Sequence, residues 1–156
     1  MTQHVSKFTE LQARFTKYTP YRLHRLLYKF TGGKFGAKLP GMKLNVLLLT
    51  TTGRKSGLQR THPVMYYRDG ENFVIAASNA GDDKAPLWYL NLRKCPEATV
   101  QVQDVIQRVV AREASAEERT RWWDILTEVH PILAAHQKFT QRPIPVIFLR
   151  LISQTQ

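Results

Sequence analysis

The chain has 156 residues, 43% of them hydrophobic, which suits one domain with a buried core; no internal repeat or low-complexity tract interrupts it. Its formal net charge of +11 implies an acidic partner: nucleic acid, an anionic membrane surface or a polyanionic small molecule. The single cysteine, Cys95, excludes an internal disulfide, no apolar run approaches the ~20 residues that span a bilayer, and charges break Val5 to Phe30 too often for a secretory signal, so a cytoplasmic protein, soluble or peripheral, is expected.

The charge is concentrated at the start. Before Leu44 stand nine cations and one acid, Glu10. Val5, Phe8, Leu11, Phe15 and Tyr18 recur at helical spacing, and Pro20 starts a second helical stretch with Leu23, Leu26, Leu27 and Phe30 on its apolar side. Gly32 and Gly33 end it. Residues 1–43 therefore read as a basic, amphipathic helical segment. Two placements remain open: residues 5–30 on an anionic membrane, or the same helices packed on the domain with their cations in water. Nucleic acid is not expected, because no helix-turn-helix, zinc finger or RNP-like motif accompanies the charge.

From Leu44 the pattern is β. Leu47 to Thr52 is a strand that runs into the turn Gly53-Arg54-Lys55-Ser56-Gly57, followed by Arg60. Two cations, a hydroxyl and turn amides between glycines make an anion cradle, or else an ordinary basic hairpin turn facing water. It is not a P-loop, since Arg54 stands where glycine would precede the Lys-Ser pair. Gln59 to Arg68 is a second strand, in which Pro63 marks an edge or a bulge. Asp69-Gly70 signals a hairpin into a third strand, Phe73 to Ser78, whose small Ala76, Ala77 and Ser78 leave room for a bulky neighbour.

Asn79 to Ala85 is a polar loop, and Pro86 opens the helix PLWYLNLRK, in which Trp88 is a buried position and Asn91 is polar. Ala98 to Asp104 and Val105 to Glu113 form a hairpin. Ser115 with Glu118 is a capping box that starts a Trp122- and Trp123-bearing helix. Pro131 separates it from a short helix, Ile132 to Phe139, and PIPVIFLRLI supplies the last strand. Residues 44–152 thus read as an α+β domain, a small antiparallel barrel of six strands with packed helices.

Catalytic motifs are scarce. His130 and His136 lie six apart, off one helical face, and no cysteine or carboxylate joins them, so no metal site is expected. His62 is a site residue or a satisfied strand histidine. Neither a nucleophile elbow nor a dinucleotide fingerprint occurs. A basic cradle without an evident acid or base suits a protein that uses a cofactor's chemistry.

The segments LLLTTTGRKSGLQRTHPVMYYRDG, FVIAAS and PLWYLNLRKCPEATVQV together resemble the deazaflavin-dependent nitroreductase and quinone reductase family. That similarity runs from Leu47 to Val102 and more loosely through EERTRWW to RPIPV. The resemblance implies a split antiparallel β-barrel of the FMN-binding type and the cofactor F420, a hydride carrier with a phosphate and an acidic glutamate tail. By similarity, Gly53, Arg54, Lys55, Ser56 and Arg60 would hold phosphate and tail. Pro63 and Met65 would line the groove, Ala76, Ala77, Ser78 and Asn79 would run along the ring, and Trp88 and Asn91 would close the site. Ser78, through its hydroxyl or its backbone amide, would donate to the acceptor's developing oxyanion.

One departure concerns the acceptor side. Where the family's nitroreductase carries a tyrosine cluster, this chain reads HPILAAHQKF, with His130, Leu133 and His136 in those places. Histidine can still supply a proton, so His130 and His136 join Ser78 as candidate catalytic residues. A quinone or enone is expected as acceptor ahead of a bulky nitro compound. The alternatives are an FMN-binding reductase on the same barrel and a non-catalytic binder of cofactor or lipid; the oligomeric state is left open.

Overall fold

The computed structural model describes residues 45–152. The expected basic helices of residues 1–43 lie outside the described residues. Within them, β1 (Val46–Thr52), β2 (Gln59–Asp69) and β3 (Asn72–Ala76) form a meander, followed by α1 (Leu87–Lys94). The hairpin β4 (Glu97–Val102) and β5 (Val105–Glu113) comes next, then α2 (Ala116–Val129), α3 (Ile132–Lys138) and β6 (Val146–Leu151). The six strands close in the order β1-β2-β3-β6-β5-β4, with β4 pairing back onto β1 and every pair antiparallel.

Strand alternation sorts the side chains into two cores. Leu47, Leu49, Val64, Phe73, Ile75, Val100, Val109, Ile147 and Leu149 point inward and fill the barrel, joined by Trp88, Tyr89 and Leu92 of α1. The alternate residues of β2, β3 and β6 (Met65, Tyr67, Val74, Ala76, Val146 and Phe148) face outward and are covered by Trp122, Trp123 and Leu126 of α2 and Leu133 of α3. Trp122 sets its ring edge-on to both Tyr67 and Phe148, at 5.5 and 5.8 Å. Burial on both faces explains why Val146 to Leu149 is a continuous apolar run instead of an alternating one.

Pro63 falls where its missing N–H costs nothing. It pairs with Leu48 of β1, while β3 joins β2 only from Tyr66 onward, so one side of β2 is open at Pro63. The third strand ends at Ala76, two residues short of the expected Ser78, because Ser78 is already helical and Asn79 and Ala80 are left-handed, at φ 49° and 54°.

The capping box is formed in full. Ser115 Oγ accepts from the Glu118 N–H, and Glu118 accepts from the Ser115 N–H at 2.9 Å. Arg112 of β5 donates twice to the same carboxylate, at 2.7 and 2.9 Å, which holds Glu118 down at a pKa of about 2. Replacing the cap, Ser115→Ala, should cost about 1 kcal/mol of unfolding free energy in urea titrations without altering the m-value.

Candidate functional site

The basic turn is held in shape from inside and from the side. Gly53 N–H bonds Leu58 O and Gly57 N–H bonds Gly53 O, both at 2.8 Å, and Gly57 takes a φ of +70°. A Cβ at Gly53 would sit 2.8 Å from Ser56 Oγ and 3.0 Å from Leu58 O, so the loop closes this tightly only around glycine. Helix α1 supplies the lateral support. Buried Asn91 accepts the Arg54 N–H at 3.0 Å through Oδ1 and donates through Nδ2 to Thr51 Oγ1 at 3.1 Å; Lys94 Nζ donates to Arg54 O at 3.0 Å. Asn91 is therefore spent on tying the turn's backbone to Thr51 of β1.

What the turn presents outward is charge without a counter-charge. Lys55, Ser56 and Arg60 are exposed and Arg54 is half-buried. The ion pairs among the described residues, Arg108 with Glu97 and Arg112 with Glu118, involve none of them. Ser56 Oγ accepts weakly from Leu58 N–H, which leaves its own hydrogen to donate. Three cations and a hydroxyl on a backbone pinned from behind fit a phosphate or carboxylate group.

From this turn the half-buried Thr61, Pro63 and Met65 step along the outer face of β2 towards the helical cover. Ala76 lies on that outer face too. The neighbouring positions point elsewhere. Ala77 is fully buried in the barrel core, and Trp88 is buried there with its ring edge-on to Tyr89, so their side chains back the surface instead of lining it.

At the end of β3 the chain turns sharply. Ser78 is buried, and its Oγ lies 3.1 Å from Nδ1 of His136 on α3. Asn79, Ala80 and Gly81 follow with positive φ, a strained run of a kind that persists only where the surroundings over-determine it. Those surroundings are specific. Asn79 Nδ2 donates to Lys84 O, and Gly81 packs so closely on α3 that a Cβ would fall 2.6 Å from His136 O. Arg142 donates to Ser78 O at 2.8 Å and to Asp82 O at 3.0 Å. Arg142 is held in turn by Gln137, whose Nε2 donates to Arg142 O and whose Oε1 accepts from Arg119 and from Ile144 N–H.

The two candidate histidines part ways here. His136 joins Ser78. His130 caps α2, is 1% exposed, and reaches the carbonyl of Tyr66 at 3.3 Å, so it clasps α2 to β2. Leu133 of α3 is a core residue. Burial depresses the pKa of both histidines, that of His136 to about 4, so both rings are neutral at pH 7. Sequence reasoning did not find Arg142, Gln137 or Lys94. Arg142 stands in a loop beside Pro143 with nothing to mark it, and the Lys94 contact requires knowing that α1 lies beside the turn. Among the described residues no group of histidine, cysteine and carboxylate side chains could hold a metal ion.

A split β-barrel with a cationic turn at one end of β1 and a small polar corner at the end of β3 defines a cofactor-dependent oxidoreductase of the flavin and deazaflavin type. The model of the F420H(2)-dependent quinone reductase family matches residues 20–150, and the chain belongs to that family. It is 37% identical over 131 residues to an F420H(2)-dependent quinone reductase of Mycobacterium tuberculosis (strain ATCC 25618 / H37Rv), covering 82% of this chain and 87% of the relative. A solved F420-H2 dependent reductase is 39% identical, with a TM-score of 0.62 over 67% of this chain and 93% of that one. Another solved chain, described as a domain-swapped dimer, is 35% identical, with a TM-score of 0.64 over 83% of this chain and 94% of that one.

Two outcomes follow from the geometry. Asn91→Leu leaves the Arg54 N–H without its buried acceptor, which should lower stability by about 1–3 kcal/mol in denaturant melts and loosen the turn, read as faster amide exchange at Arg54. The second concerns acid. Below the ordinary imidazole pKa of 6.5, the unfolded chain binds a proton at His136 that the folded chain refuses down to about pH 4. Stability should therefore fall between those limits by about 3 kcal/mol from this ring, and urea midpoints measured from pH 7 to 4.5 should fall less steeply in His136→Leu.

Proposed function

We propose that the protein reduces a quinone with reduced F420, and that the turn at Gly53 to Ser56 together with Arg60 is where the cofactor's phosphate and acidic tail are held. The observation that carries this reading is the cluster of Arg54, Lys55 and Arg60, which have no carboxylate partners among the described residues, on a backbone fixed by Asn91 and Lys94. Pro63, Met65 and Ala76 then form the floor of the ring's groove, and the strained corner from Ser78 to Asn79 stands at its end.

When bound, reduced F420 supplies the hydride. The chain's own share is positioning and charge. Arg54, Lys55 and Arg60 fix the anionic end by charge-assisted bonds, the apolar floor excludes water, and Ser78 donates to the oxygen of the acceptor as negative charge develops there. No side chain acts as nucleophile. On α3 the family's tyrosine positions are taken by Leu133, a core residue, and by His136, which is engaged with Ser78, so a flat quinone or enone is favoured over a nitroimidazole.

The basic segment of residues 1–43 completes the reading as a part distinct from the barrel of residues 44–152. Nine cations interleaved with apolar residues suit the anionic inner surface of a cell membrane, where quinones are held. No helix among the described residues is long and apolar enough to cross a membrane.

Mixing the protein with reduced F420 and a short-chain menaquinone analogue tests the reaction through the returning absorbance of the oxidised cofactor, with reduced FMN in parallel. Turnover is expected with F420 alone; turnover only with FMN would remove the reading. The double variant Arg54→Ala/Lys55→Ala loses two charge-assisted contacts and should weaken F420 binding at least about tenfold in fluorescence titrations, with the deficit shrinking as salt is raised.

A further inference from the structure

Ser78 can give its hydrogen to an acceptor only if that hydrogen is not already given to His136. The contact at 3.1 Å between Ser78 Oγ and His136 Nδ1 can run either way, and its direction decides whether the Ser78 hydroxyl is free to donate to an acceptor. We propose that His136 is a positioning residue that donates from Nδ1–H to Ser78 Oγ and thereby turns the Ser78 hydrogen outward, towards the acceptor oxygen. This rests on the reading of Ser78 as donor.

Three features of the structure support that direction. His136 is buried and neutral, so its ring carries a single N–H, and no charged group contributes to its depressed pKa. The other ring nitrogen, Nε2, is buried without a hydrogen-bond partner among the described residues. If the hydrogen sat there, a buried N–H would go unpaired, whereas with the hydrogen on Nδ1 only a lone pair does, and orphaned donors are the rarer and costlier case.

His130 gives an internal precedent. Its Nε2 faces the carbonyl of Tyr66, which can only accept, so Nε2 must carry the hydrogen and the partnerless Nδ1 is a bare lone pair. The same helical cover thus already buries one unpaired imidazole lone pair. Ser78 is otherwise committed in one sense only, since its carbonyl accepts from Arg142 and its hydroxyl has no other partner among the described residues.

The arrangement separates two jobs. Arg142 and Gly81 fix where Ser78 stands, and His136 fixes which way its hydrogen points. Ser78 Oγ lends a hydrogen bond to the acceptor oxygen and keeps its proton. The hydride would come from the reduced cofactor, which would give up its remaining proton to solvent, and the proton that completes the reduced acceptor would come from solvent, so the atoms balance without a further reactant.

Heteronuclear NMR of the imidazole nitrogens in the whole protein tests the direction without turnover. The expected result is a protonated Nδ1 in His136; a protonated Nε2 overturns the proposal. Kinetics test the consequence. His136→Leu should lower kcat with the quinone about tenfold while leaving F420 affinity within about twofold, and His136→Asn, which places an N–H donor near the lost Nδ1, should recover most of the rate. Added to Ser78→Ala, His136→Leu should cost nothing more, whereas a further independent loss would mean that His136 does not act through Ser78. If the wild-type protein turns over no quinone with F420 while Nδ1 is protonated, the functional reading fails and the hydrogen-bond assignment stands.

Discussion

The constraint that shapes this domain is the burial of β3 and β6 on both faces. A closed barrel needs its inner face apolar, and the helices need an outer face to cover, so these strands carry apolar residues at nearly every position. Polar chemistry cannot be placed within them. It is displaced to where the strands stop, which is why β3 runs as Phe73-Val74-Ile75-Ala76 and turns polar only at Ser78. The candidate site occupies the margin between the barrel and its helical cover because that margin is where backbone and small side chains become reachable.

Each half of the site is then fixed by one buried or half-buried polar side chain spent on backbone. Asn91 fastens the cationic turn to β1, and Arg142 fastens the corner from Ser78 to Asp82 to the chain beyond α3. Neither contact brings charge to the ligand. Their effect is to remove freedom from loops that would otherwise move, so that Arg54, Lys55 and Ser78 hold their places before a ligand arrives. The cost is visible in the left-handed Asn79 and Ala80, conformations that the Arg142 and Asn79 hydrogen bonds sustain.

How much of this the sequence disclosed follows from the range of the interactions involved. Strands and helices came through because period-2 and helical patterns are local: five of the six strands and the capping box of Ser115 and Glu118 fall within two residues of their expected places. The cationic turn was legible because glycine, charge and hydroxyl sit together in five residues. The direction of the helix-borne groups was not, because Asn91 and Trp88 share a helix and their roles depend on which side meets the barrel. Arg142 was invisible for a stronger reason. Its partners are Ser78 and Asp82, sixty or more positions away, and no local pattern encodes a contact made only once α3 has packed.

The stretch HPILAAHQKF shows how one packing decision distributes chemistry. With α3 laid against the barrel, Leu133 points into the core, His130 is drawn under to clasp Tyr66, and only His136 reaches the corner at Ser78. Three positions equivalent by sequence similarity thus divide into a core residue, a clasp and a neighbour of Ser78 in the candidate site. Desolvation reinforces the division, since a ring held neutral by burial is a poor source of charge but a stable hydrogen-bond donor of fixed direction. On the proposed reading a histidine here acts from behind Ser78, at 3.1 Å from its Oγ, and the groove is left to flat, apolar acceptors.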